Sequence, residues 1–256
     1  MRKFFAATIL ILLTGTASAQ ENSPEVDRGI ASIKKKSFDF TAEARFFAPN
    51  LNAYIKSDNF QFNGGRVDLR DDLNFTRGAA PEIIFKYKNF SVDWLHLHGA
   101  GKSYIDGTIN FGGKNFSGKL DSRSDIHFVK LKFDRKIFSL MGTGVDWNVA
   151  LNALSWRGST RGENSATKNY FAVLPSVGIN FYMRIRPRLD IYAQFSGLPL
   201  GNNCHFSDFE SGIKYFPQKN FSLSAGWRRI DFKLRRGDDF GKFVLNGPFA
   251  SIRYDF

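Results

Sequence analysis

The reading turns on the last ten residues, Gly247-Pro248-Phe249-Ala250-Ser251-Ile252-Arg253-Tyr254-Asp255-Phe256. Counting back from Phe256, every second residue is apolar: Tyr254, Ile252, Ala250, Pro248. The residues between are Asp255, Arg253, Ser251 and Gly247, with Phe249 the exception. Period two describes a strand with one oily and one wet face. An aromatic end in step with the oily face fits a soluble half-buried strand less well than one that meets lipid.

The same alternation recurs upstream. Phe38, Phe40, Ala42, Ala44 and Phe46 interleave with Asp39, Thr41, Glu43 and Arg45. Ile83, Phe85 and Tyr87 oppose Glu82, Lys86 and Lys88. Further strands are read at 90–98, 126–133, 138–153, 169–183, 188–195, 206–215 and 220–232. Pro175 removes a ladder donor and predicts a bulge.

Short connections are expected near 88–89, 134–136, 185–187 and 216–219. Long ones are expected at 48–80, 99–124, 155–167, 197–205 and 235–243, with Thr108–Phe111 and Asn115–Phe116 as candidate short strand extensions inside the second. Strict alternation of long and short connections is the layout of a transmembrane barrel. The fold expected is therefore all-β, a closed antiparallel transmembrane β-barrel of about ten strands, with eight or twelve as alternatives.

The other end of the chain agrees. Arg2 and Lys3 precede an apolar run from Phe4 to Leu13, and Ala17-Ser18-Ala19 forms a small-residue cleavage site. Residues 1–19 are expected to be a signal peptide, 20–36 a short periplasmic lead-in, and 37–256 the barrel. No later segment has the eighteen consecutive apolar residues of a helical span. The single Cys204 excludes an intramolecular disulfide framework. The net charge of +12 becomes +10 without Arg2 and Lys3. Export and the lack of any nucleic-acid motif argue against nucleic acid as a partner and for anionic lipid surfaces. The 28 phenylalanines suit a lipid-facing belt.

With these features assembled, the chain resembles small outer-membrane β-barrels of Gram-negative bacteria, in particular an OmpA-like or OmpW-like group. The dyad strands, the terminal Tyr254-x-Phe256, the stretch Val67–Leu73 and Asp208…Gly212-x-x-Tyr215 carry the resemblance. It implies an outer-membrane location, contact with lipid and lipopolysaccharide, and recognition of Ile252, Tyr254 and Phe256 by the barrel assembly machinery. It implies no cofactor and no metal.

Charged residues on the wet faces are expected in the lumen: Glu43, Arg45, Lys86, Lys88, Asp93, Lys130, Lys132, Asp146, Arg188, Asp190, Arg228 and Arg253. Either they form ion pairs that plug it or they line a narrow cationic pore. A non-enzymatic scaffold, a surface-loop interaction protein and a narrow porin-like channel all fit. The competing class is a barrel enzyme. His205-Phe206-Ser207 resembles the His-x-Ser element of lipid A 3-O-deacylases, in which His activates Ser. Asp93, His96 and His98 resemble, more weakly, the Asp and His groups of omptin-type proteases. A soluble exported ligand-binding barrel is the third reading.

Overall fold

The structure is a computed structural model. It describes residues 40–56, 60–62, 67–68, 74, 78–111, 114–200, 204–236 and 239–256. The signal-peptide and lead-in segments lie outside the described residues.

The elements are β1 (Phe40–Phe47), β2 (Asn50–Lys56), β3 (Phe60–Phe62), β4 (Val67–Asp68), β5 (Ala80–Tyr87), β6 (Phe90–Phe111), β7 (Lys114–Leu140), β8 (Thr143–Arg161), β9 (Ser165–Arg186), β10 (Leu189–Leu200), β11 (Cys204–Gln218), β12 (Phe221–Arg236) and β13 (Asp239–Asp255). Each long strand pairs antiparallel with its sequence neighbour, and β1 pairs with β13 to close the ring. β1 and β2 hold one register against β13 and count as one wall strand. Ala48 and Pro49 interrupt them; Gly247 leaves room for the Ala48 carbonyl, and the Ala48 amide donates to Pro248 O at 3.0 Å. The wall thus has ten strands, while β3 and β4 are short additions on β6 and β2.

The stagger can be read from the register. One row of partners runs Phe40, Tyr87, Phe90, Phe133, Val149, Val177, Gly197, Ser207, Asp231, Val244 and returns at Asn52. A return displaced by twelve residues over ten strands tilts the strands by about 40° and gives a backbone radius of about 10 Å. A ring of that size is filled by its own side chains when they are large.

One end carries two-residue turns at 88–89, 141–142, 187–188 and 219–220, together with Phe40 and Phe256. In the Met141-Gly142 turn both residues have positive φ, 49° and 85°, as a type I′ hairpin requires. Two expectations are corrected here. Residues 134–136 do not turn, because β7 pairs with β8 down to Leu140–Thr143. The segments 99–124, 155–167, 197–205 and 235–243 are not long loops. β6 and β7 stay paired out to Phe111–Lys114, β8 and β9 to Arg161–Ser165, β10 and β11 to Leu200–Cys204, and β12 and β13 to Arg236–Asp239.

The physical reason is an inversion of phase. Near the turns, apolar residues point outward and polar ones inward. Phe90, Val92 and Trp94 are exposed on β6, with Ser91 and Asp93 buried between them. Beyond Trp94 the buried residues are Leu95 and Leu97, and the outward ones are His96 and His98. β7 changes between Val129 and Phe128, and β12 between Trp227 and Ile230. The outward apolar belt is edged by aromatics. Phe40, Tyr87, Phe90, Tyr215, Tyr254 and Phe256 stand at the turn end; Phe46, Trp94, Phe171, Phe195, Phe209 and Trp227 stand on the other side. On β13 the belt runs from Pro248 to Phe256, about 20 Å along the axis. That is the height and decoration of a lipid-facing band.

Candidate functional site

The lumen next to the turns is a charge network. Arg45 on β1 donates to Glu210 on β11 at 2.6 and 3.1 Å and to its own strand's Glu43 at 3.0 Å. Arg228 on β12 donates to Glu82 on β5 at 2.5 Å and to Asp208 on β11 at 2.9 and 3.0 Å. Lys130 on β7 reaches Asp208 at 2.9 Å and Ser196 Oγ at 3.1 Å. Tyr192 donates to Glu210 at 3.0 Å. Lower down, Lys86, Lys132 and Asn180 converge on Asp134. These are chords: β1 to β11, β12 to β5 and β7 to β11 are not neighbours, so the bonds cross the lumen.

Above the network lies an apolar layer. Phe47, Leu95, Phe128, Trp156, Phe206, Phe232 and Phe243 are all at most 3% exposed. The rings of Trp156 on β8 and Phe243 on β13, from opposite walls, have centroids 6.3 Å apart. Phe128 and Phe206 stack at 6.1 Å, and Phe206 meets Phe232 edge-on at 6.2 Å. Trp156 Nε1 donates to Ser124 Oγ at 2.8 Å, so the indole is buried with its donor satisfied. Gly158 leaves space for that indole, since a Cβ there would run into the ring. The layers meet where Phe249 packs on the Arg45 guanidinium, 4.4 Å from ring centroid to Cζ.

The expected lumen residues fall as follows. Glu43, Arg45, Lys130 and Arg228 are buried inside, and Asp93 lies among them. Lys86, Lys132, Asp146 and Arg253 are partly buried on the inward face. Asp190 sits at the turn-end rim, held by Arg184 at 3.0 Å. Arg188 is a correction, and Lys88 with it. Both are exposed in two-residue turns, where strand alternation no longer applies. Residues not singled out in the sequence carry much of the network: Glu82, Asp134, Tyr192 and Glu210, with Asp208 counterbalancing Lys130 and Arg228. Asp208 and Glu210 flank the exposed Phe209, a period-two signal that the sequence did contain.

The two catalytic candidates do not assemble. Asp93 points into the lumen while His96 and His98 point out, so the three cannot meet. His205 and Ser207 share the outer wall of β11, but the structure gives them no hydrogen bond to each other. Asp231, opposite Ser207, is engaged by Arg229 at 3.3 Å. Ile252, Tyr254 and Phe256 are exposed on the belt, with Phe256 packed on Phe40 and Tyr254 at centroid distances of 5.2 and 4.9 Å.

A third feature lies on the outer wall, just past the belt. His96 and His127 face each other across β6 and β7 and stack at 4.4 Å and 3°. Trp94 lies parallel to both rings. His98 Nδ1 is 2.6 Å from Asp125 Oδ1. A groove of about 450 Å³ continues from Asp125 and His127 past Ser155, Arg157 and Asn169 to Phe171.

No protein-family model and no curated protein matches this chain. Solved structures do. The outer membrane protease OmpT from Escherichia coli superposes with a TM-score of 0.50 at 11% identity, over 87% of this chain and 100% of that one. The NalP autotransporter translocator domain from Neisseria meningitidis gives 0.43 at 7%, over 87% and 90%. Ail from Yersinia pestis, solved in complex with the heparin analogue sucrose octasulfate, gives 0.38 at 11%, over 84% and 99%. At such identities only architecture is shared: this chain has the fold of a small outer-membrane β-barrel, closed by ten antiparallel strands.

Proposed function

We propose that the chain is an integral outer-membrane barrel with a sealed lumen, whose work is done on its outer wall and its long hairpins. One observation carries this reading: side chains from non-adjacent and opposite walls bond across the lumen at two successive levels, ion pairs below and aromatic rings above. A solute pathway would need both levels to part. Of the non-enzymatic readings, the filled lumen favours the scaffold or surface-interaction protein over the porin-like channel.

In this reading residues 1–19 are removed on export, and Ile252, Tyr254 and Phe256 present the last strand to the assembly machinery. Lipid and lipopolysaccharide surround the belt, and the hairpins of β6–β7 and β8–β9 stand outside the cell. Their backbones stay paired strand to strand over most of their length, with one break in register between residues 105 and 109 of β6, and this pairing stiffens the platform.

The test is single-channel recording of the detergent-folded protein in a planar bilayer, with a heat-dependent gel shift confirming folding on the same sample. A folded, silent protein supports the proposal. Discrete, salt-dependent steps would overturn it and restore the channel. Release from cells without detergent would overturn the membrane reading as a whole.

A further inference from the structure

We infer that the outer-wall patch on β6–β9 is a proton-dependent site for the phosphate headgroup of an outer-leaflet lipid. This rests on the membrane reading above and names a ligand for one face of it.

Depth is the first argument. The patch begins one outward residue past the belt: His96 follows Trp94, His127 follows Val129, Ser155 follows Ala153 and Asn169 follows Phe171 on their outward faces. That row lies where headgroups lie when the belt is in hydrocarbon. The groove is amphipathic along the membrane normal, with Phe171 toward the belt and Arg157, Asn169 and Ser155 away from it. A lipid has the same order, acyl chain below and phosphate above.

Charge is the second. Among the described residues the charged groups facing the patch are these, with Tyr170 also lining the groove. β6 supplies His96 and His98, β7 supplies Arg123, Asp125 and His127, and β8 supplies Arg157; Pro81 of β5 and Asn169 of β9 add no charge. Lys102, Asp121 and Arg161 stand on the next rows out. Asp125 Oδ1 lies 2.6 Å from His98 Nδ1 and 3.8 Å from His96 Nε2, so the one carboxylate of the patch is held by the two β6 histidines. Arg157 makes no ion pair or side-chain hydrogen bond among the described residues, so a guanidinium beside the groove is left for a ligand. Three of the chain's four histidines are gathered here. Imidazole is the side chain that takes up a proton nearest neutrality, and three of them share one small area.

Geometry is the third. Two imidazolium rings stacked at 4.4 Å repel each other. A phosphate laid against them removes that cost, so anion binding and proton uptake must assist one another, each by the same free energy. Neutral phosphate-free surroundings leave the rings stacked; an anionic headgroup draws protons onto them.

His205 provides an internal reference. It is four residues past the belt aromatic Phe209 on the outer wall, as His98 is four past Trp94, but it lies on β11 away from the patch. The experiment is an NMR pH titration of the four imidazoles in the folded full chain. It is run in phosphatidylcholine nanodiscs, in discs containing phosphatidic acid, and in phosphatidylcholine discs with inorganic phosphate added. A general surface potential moves all four midpoints together by about half a pH unit. The inference expects phosphatidic acid to raise those of His96, His98 and His127 by about one pH unit more than that of His205, a tenfold tighter proton binding. Arg157→Gln should remove the difference. Equal movement of all four, or none, in a protein that has inserted and folded would overturn the site and leave the barrel reading intact. The same rise with inorganic phosphate alone would overturn the lipid as its source. Failure to insert would instead count against the membrane reading.

Discussion

The halves of this barrel share one set of strands and obey opposite rules. In the half with tight turns, Leu131, Val149, Leu223 and Ile252 face out while Arg45, Glu82, Asp208 and Arg228 fill the inside. In the other, Leu95, Phe128, Trp156 and Phe243 fill the inside while His98, Arg157 and Ser159 face out. The pleat is the same; the medium outside has changed. Where the surroundings are lipid, the apolar residues go to the wall and the enclosed polar groups must satisfy one another. Where the surroundings are water, the wall becomes polar and the inside packs like the core of a soluble barrel. The molecule reads as a soluble barrel continued from a membrane barrel, and in both halves side chains fill the inside.

Removing a member of each filling tests that contrast. Arg228→Ala leaves Asp208 and Glu82 buried beside a missing cation and should cost about 3–5 kcal/mol, read by urea unfolding in phosphatidylcholine vesicles. Trp156→Ala should cost a similar ~3–5 kcal/mol through the cavity alone, yet leave the protein silent in a bilayer, because the ion-pair layer beneath it is intact. Conductance in that variant would mean the lower layer does not seal. On the outer wall, Val149→Arg lies in the middle of the belt and should cost about 2–4 kcal/mol. Ser159→Arg, on the same face beyond the belt, should stay within about 0.5 kcal/mol. Equal costs would erase the boundary between the halves. Asp125→Asn should also have a small effect, since the Asp125–His98 pair is well exposed; its loss should cost less than about 1 kcal/mol by the same unfolding measurement.

How much was legible in the sequence follows the same division. The lipid half was: alternation from Phe40 to Phe46 and from Pro248 to Phe256 was read in register, and the ten-strand closed barrel followed. Most of the water half reads as loop in the sequence, because a pattern that rests on one phase fails where the phase inverts. The inversion leaves a mark, a pair of adjacent apolar residues such as Phe46-Phe47, Trp94-Leu95, Phe128-Val129 and Phe249-Ala250. Phe249, the exception in the terminal strand, is one of these marks; it points inward onto Arg45. Glu82 and Arg228, or His96 and His127, could not have been joined from sequence, because only the cross-strand register and the stagger of twelve bring them together.

The most direct test of the account is a nitroxide scan along β8, one label per residue from Val149 to Arg157, after Cys204→Ser. Collision with oxygen reports lipid, and collision with a nickel chelate reports water. The account predicts oxygen access at Val149, Leu151 and Ala153, nickel access at Ser155 and Arg157, and neither at Ala150, Asn152, Leu154 and Trp156. Nickel access at the inward positions, or oxygen access continuing to Arg157, would contradict the sealed lumen or the change of phase.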